Sequence, residues 1–171
     1  PELEPRFTCD GFVTNEPGVP LAVFMADCLP VLLHDPIAGV IGAVHCGWRG
    51  SVADILGAAV AQMCALGAHP ADIRAAIGPG IGACCFEVGP EVVSAAEALL
   101  HAPLGALARP RADGKVLLDL KGVNARRLVQ LGVPAGQIAV SDACTMCRPD
   151  VFWSHRATDG RRGVQAAVIT L

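Results

Sequence analysis

Two side chains of this 171-residue sequence could meet to do chemistry: the thiol of Cys28 and the imidazole of His45. Between them His34-Asp35-Pro36, with Gly39 close behind, supplies turn residues between two apolar runs. If residues 35–39 close a β-hairpin, positions whose numbers sum to about 74 face each other, and Cys28 and His45 fall within one residue of that rule. Sulfur and imidazole nitrogen are the donors Zn²⁺ takes, at about 2.3 and 2.0 Å. Asp27 beside the cysteine and Arg49 shortly after the histidine add an acceptor and a cation at the same rim. The pair also reads as ordinary core packing, because free cysteine is among the most buried residue types. A third reading is a thiol–imidazole nucleophile. Two ligands do not complete a metal site, so the metal reading predicts at least one further donor.

Other motifs carry less. Cys144-Thr145-Met146-Cys147 is a C-x-x-C that could be redox-active or half of a zinc site. With no second C-x-x-C to complete four sulfurs, unpaired thiols are the expectation. Cys84-Cys85 reads as two small buried residues in preference to a vicinal disulfide. Gly78, Gly80 and Gly82 give the loop 78–82 backbone freedom suited to phosphate or ribose, without the Lys-Ser/Thr ending of a P-loop. His34 and His155 could be ligands but are more often solvated or satisfied, and His69 and His101 read as surface residues.

The elements that must position these groups follow from hydrophobic periodicity. Apolar runs predict strands over 20–25, 31–33, 40–45, 73–77, 116–118, 138–140 and 164–171. Helical spacing predicts helices over 52–66, 91–100 and 121–131, the first capped by Ser51 and ended by Gly67. Residues 101–114 read as an exposed connection. Strands alternating with short helices predict a single α/β domain over 1–171, a mixed sheet with flanking helices.

Composition bounds the rest. The chain is 53% hydrophobic and 17% charged, so it can bury a core. A net charge of −3 argues against nucleic acid as the main partner. No apolar run reaches the roughly 18 residues of a membrane span, so no membrane is expected as partner. Eight cysteines without a repeated spacing read mostly as reduced thiols, which favours a cytoplasmic setting. The opening Pro1-Glu2-Leu3-Glu4-Pro5 suggests an N-terminally incomplete chain.

The run Ala26-Asp27-Cys28-Leu29-Pro30-Val31-Leu32 followed by Gly42-Ala43-Val44-His45-Cys46-Gly47-Trp48-Arg49-Gly50 resembles the hallmark of the YfiH family, the laccase-domain proteins. The likeness continues through Ile77-Gly78-Pro79-Gly80-Ile81-Gly82 and Phe86-Glu87-Val88-Gly89. It extends to Leu118-Asp119-Leu120, Asp142-Ala143-Cys144-Thr145 and Phe152-Trp153-Ser154-His155-Arg156.

The resemblance implies an α/β fold with a zinc held by one cysteine and two histidines, Cys28 and His45 being two of the three. The third belongs to an upstream Gln-Val-His-Gly-like motif that this sequence does not contain. Ala157 and Val164 stand where many members carry arginine. The implied activities are phosphorolysis of adenosine, inosine, guanosine and methylthioadenosine, and deamination of adenosine. Orthophosphate would be held by Arg49, Arg156 or the Gly78–Gly82 amides. Asp27 would transfer a proton or orient the ligands.

Three other readings stay open. One is a copper phenol oxidase, although a multicopper oxidase needs about ten histidine ligands and the sequence has five; Cu²⁺ could still enter a Cys–His site. The others are a cell-wall peptide-editing hydrolase and a metal-poor binding module, and metal analysis would separate an enzyme from a module.

Overall fold

The computed structural model describes residues 9–171, so the expectation about the N-terminus lies outside the described residues. Strands β1 (Gly11–Thr14), β2 (Leu21–Met25), β3 (Leu29–Asp35) and β4 (Val40–Cys46) come first. Helices α1 (Trp48–Val52) and α2 (Ile55–Ala65) follow, then β5 (Arg74–Ile77), β6 (Glu87–Val88) and α3 (Pro90–Leu100). The chain continues through β7 (Ala108–Pro110), β8 (Val116–Leu118), α4 (Leu120–Gln130), β9 (Ile138–Val140) and β10 (Gln165–Ile169). This is the expected α/β domain with a mixed sheet and flanking helices.

The central sheet has the order β1-β4-β3-β5-β9, antiparallel except for the parallel β5–β9 edge. Helices α2, α3 and α4 bury their apolar stripes on one face, against Leu29, Val31, Leu33, Val44 and Ile77. The β2–β10 ribbon covers the other face, where Leu21, Val23 and Met25 pack on Ile41 and Ala43. Strand β4 is therefore enclosed on both sides, which is why it reads as an unbroken apolar run.

The β3–β4 hairpin is the element on which the site hangs. Asp35 is buried at its tip, where Oδ1 accepts from Ile37 and Ala38 N–H at 2.9 Å each and Oδ2 from His69 N–H at 2.8 Å. Asp35 pairs with Val40 and Leu29 with Cys46, so the register lies one residue from the sequence expectation. The reason is that the loop is the four residues 36–39, with its centre between Ile37 and Ala38. His45 consequently faces Pro30. Cys28 lies two residues before Pro30 and shares its face, so the pair survives as diagonal neighbours.

The expected helix 52–66 begins later, as α2 at Ile55, and the short α1 that ends at Val52 precedes it. Ser51 caps neither: its buried hydroxyl accepts from Asn124 Nδ2 of α4 at 3.0 Å. Asp54 breaks the helix with φ 63° and caps α2, accepting from Gly57 N–H at 3.2 Å. The same carboxylate receives both Nε and Nη2 of Arg127 on α4, at 2.8 and 2.6 Å. The segment 101–114 is not wholly exposed, since Leu104 is fully buried and β7 pairs with β8.

Hydrogen bonding to Arg127 holds the Asp54 carboxyl below its ordinary value of 3.8, against the opposing effect of burial. A carboxyl depressed by folding stabilises above its unfolded value, and that contribution disappears as pH falls through the folded one. Asp54→Asn keeps the cap and removes the ion pair. It should cost about 1 kcal/mol or less at neutral pH, given the pair's partial exposure. In urea unfolding, the gap from wild type should close as pH falls below 3.8.

A sulfur–imidazole pocket and a four-cysteine cluster

Cys28, His45, Asp27, Arg49 and Arg156 all line one cavity of about 500 Å³, together with Phe24, Trp48, Phe86, His155 and Arg162. The sequence placed Cys28, His45, Asp27 and Arg49 at one rim, the family resemblance added Arg156, and the fold brings the five together. Hydrogen bonding of the ring to the Cys28 sulfur as acceptor is the main reason the His45 imidazole is pushed up to about 9. Partial burial works against the rise and Asp10 adds to it. Asp10 Oδ1 lies 3.1 Å from His45 Nδ1. A carboxylate on one ring nitrogen, fixing the ring so that it can offer the other, is the usual support of a metal-ligating histidine. One thiolate and one imidazole suit Zn²⁺, and a catalytic zinc takes three protein donors, one more than this pair supplies. Gly47 leaves the room: a Cβ there would sit 3.2 Å from Cys28 Sγ.

Asp27 has a different kind of environment from that of a proton shuttle. It is buried, with φ 79°, a conformation that Asp tolerates better than most residues. Its Oδ1 accepts from Thr145 Oγ1 at 2.6 Å, and its Oδ2 from Ser154 Oγ at 3.0 Å and Arg156 N–H at 2.7 Å. Asp27 thus gathers two distant segments against the residue that precedes Cys28.

The cations are placed by aromatic faces and carbonyls. The Arg49 guanidinium lies 4.3 Å from the centre of the Trp48 ring, and that of Arg156 5.9 Å from Phe86. Arg156 also donates to Glu87 O at 3.3 and 3.4 Å. Arg162, which no sequence motif singled out, reaches the same cavity. Its Nε is buried with no hydrogen-bond partner among the described residues, and its Nη2 lies 3.5 Å from His155 Nδ1.

The glycine loop has another use. Gly78 N–H donates to Pro30 O, Ile81 N–H to Asp27 O and Gly82 N–H to Cys144 Sγ, so these amides already have acceptors inside the protein. A Cβ at Gly78 would meet the Pro30 ring at 2.7 Å, and one at Gly80 would collide with Leu29. The glycines let the loop lie directly on β3, and of the segment 78–82 only Ile81 lines the cavity.

Cys144 and Cys147 are unpaired thiols, as expected, but they do not stand alone. Cys84 and Cys85 supply the missing half, and the sulfurs of Cys84, Cys85, Cys144 and Cys147 all lie within 4.8 Å of one another, a group that could bind a metal ion. Cys85 and Cys84 are not fully enclosed, being partly and well exposed respectively. No helix among the described residues is long and apolar enough to cross a membrane.

A family model for multi-copper polyphenol oxidoreductase laccases matches residues 2–171. The chain belongs to this family. Within the laccase family it is 40% identical over 162 residues to "Purine nucleoside phosphorylase YlmD" of Geobacillus stearothermophilus, which covers 94% of this chain and 59% of that protein. It is 42% identical over 147 residues to "Adenosine deaminase RL5" of an unknown prokaryotic organism, covering 86% and 56%. The crystal structure of the hypothetical protein YfiH of Bacillus licheniformis superposes with a TM-score of 0.88 at 39% identity, over 95% of this chain and 61% of that one. The chain thus spans less than two thirds of the length of these relatives.

Asp27→Ala would leave two hydroxyls and one N–H facing a buried gap and place alanine at positive φ. A loss of roughly 3 kcal/mol in urea unfolding is expected. Asp27→Gly, which relieves the backbone, should recover about 1 kcal/mol of it.

Proposed function

We propose that this chain processes purine nucleosides, by phosphorolysis of adenosine, inosine, guanosine or methylthioadenosine and by deamination of adenosine. The observation that carries the reading is the composition of one cavity. It joins a sulfur–imidazole pair, three arginines and three aromatic side chains in a volume of about 500 Å³, the scale of a nucleoside with an anion beside it. The names of the relatives supply the substrate class.

Cys28 and His45 would hold zinc, which when bound offers a Lewis acid and an activated water of the kind that deamination at purine C6 requires. Phe86 and Trp48 give apolar surface for the purine. Arg49, Arg156 and Arg162 would take orthophosphate, whose planar bidentate recognition suits guanidinium. Arg162 is the member with an unused donor. With the amides of Gly78, Ile81 and Gly82 engaged elsewhere, the arginines are the phosphate ligands this reading relies on. In phosphorolysis a phosphate oxygen forms a bond to ribose C1′ as the C1′–N9 bond breaks. The proton of the hydrogen phosphate leaves on the purine, so the products are free base and ribose-1-phosphate. Asp27 acts here as a positioning residue that fixes the backbone of Arg156.

A multicopper oxidase is poorly served by this geometry. Of the five histidines, only His45 and His155 line the cavity. Incubation with adenosine and phosphate should release adenine and ribose-1-phosphate, and adenine should vanish when phosphate is omitted. Inosine should form in either case. Adenine release that ignores phosphate would mean hydrolysis, and no product at all would remove the reading. Arg156→Ala should lower kcat/KM for phosphate by about 10- to 100-fold, the worth of a charged hydrogen bond.

A further inference from the structure

Cys84 and Cys85 lie in the loop after β5, and Cys144 and Cys147 in the loop after β9. Cys147 Sγ is 3.6 Å from Cys84 Sγ and 3.4 Å from Cys85 Sγ, and all four sulfurs fall within 4.8 Å of one another. Four sulfurs at about 2.3 Å around a tetrahedral ion stand about 3.8 Å apart. The two Cys147 separations, 3.6 and 3.4 Å, lie close to that edge. They are far longer than the roughly 2.05 Å of a disulfide, and none of the four is paired.

The surroundings match a thiolate site more closely than a chance meeting of thiols. Gly82 N–H donates to Cys144 Sγ at 3.2 Å, as amides do to metal-bound sulfur. Glycine at 82 eases this approach, since a Cβ there would crowd Cys144 Cβ at 3.2 Å and Cys84 Sγ at 3.3 Å. Lys121 is buried close by, its ammonium donating to Ser141 O and Ala143 O at 2.8 and 2.7 Å. It sits where a cation would offset the negative charge of four thiolates around a divalent ion.

From this geometry we infer that Cys84, Cys85, Cys144 and Cys147 form a closed tetrathiolate zinc site, separate from the Cys28–His45 pair. Four protein sulfurs leave no open position, so the ion is structural. It fastens the loop carrying Ile81 and Phe86 to the loop carrying Thr145, Ser154 and Arg156. The same two loops meet through Thr145 N–H on Gly80 O at 3.1 Å, and both lean on Asp27. The zinc would thereby brace one wall of the cavity without touching what binds inside it.

The test needs no substrate, so it stands or falls apart from the nucleoside reading. Protein purified with reductant should hold about one zinc more than Cys144→Ser/Cys147→Ser protein. Cobalt(II) added to metal-stripped protein should give the thiolate charge-transfer and tetrahedral ligand-field bands of a four-sulfur site. Those bands should persist in Cys28→Ala/His45→Ala and disappear in Cys144→Ser/Cys147→Ser. Should the serine variants not fold, the wild type decides: exposed Cys84 and Cys147 should resist alkylation until a chelator is added, while exposed Cys9 reacts at once. Wild-type protein whose Cys84 and Cys147 alkylate as fast as Cys9, or whose four cysteines are recovered as disulfides or bound to iron, would overturn the site.

Discussion

A carboxylate taken out of water costs several kcal/mol unless donors surround it, and Asp27 is buried with three. Its donors come from Thr145, Ser154 and Arg156, more than a hundred residues away in sequence, so the chain must close over it before the carboxylate is satisfied. That closure has two consequences for the pocket. It brings Arg156 over the mouth of the β3–β4 hairpin. It also fixes the backbone immediately before Cys28, and with it the direction of the sulfur toward His45. The left-handed backbone at Asp27 turns the chain from β2 into β3 at this point.

Much of this was readable from residue types and spacing. Strands β8 and β9 coincide with their apolar runs at 116–118 and 138–140, and Gly67 ends α2 at φ 100° as expected of a helix terminator. The expectation placed Cys28 and His45 at one end of the hairpin, and it is the observed register, one residue away from the expected one, that puts them on one face as diagonal neighbours. Position along a strand tolerates a one-residue error in a way that exact cross-strand pairing does not.

What the sequence hid depends on contacts between distant segments. Ser51 looks like a helix cap locally, yet Asn124 claims its hydroxyl, and the cap passes to Asp54 because Arg127 of α4 waits opposite. The glycines at 78–82 signal backbone freedom, and only packing shows that the freedom serves close approach to Pro30 and Leu29. A pair of adjacent cysteines and a C-x-x-C some sixty positions later carry no joint signature. They meet because β5 and β9 run parallel at the sheet edge and deliver their following loops to one end. Arg162 was invisible for a related reason: no motif marks it, and its value lies in an unpartnered donor inside the cavity.

The central claim is that Cys28 and His45 grip one ion between them. Zinc K-edge X-ray absorption of zinc-loaded Cys144→Ser/Cys147→Ser protein isolates that site from the sulfur cluster. The account predicts a first shell with a single sulfur at about 2.3 Å and nitrogen or oxygen at about 2.0 Å, the sulfur disappearing in Cys28→Ala. A shell without sulfur, or one that Cys28→Ala and His45→Ala leave unchanged, would contradict it.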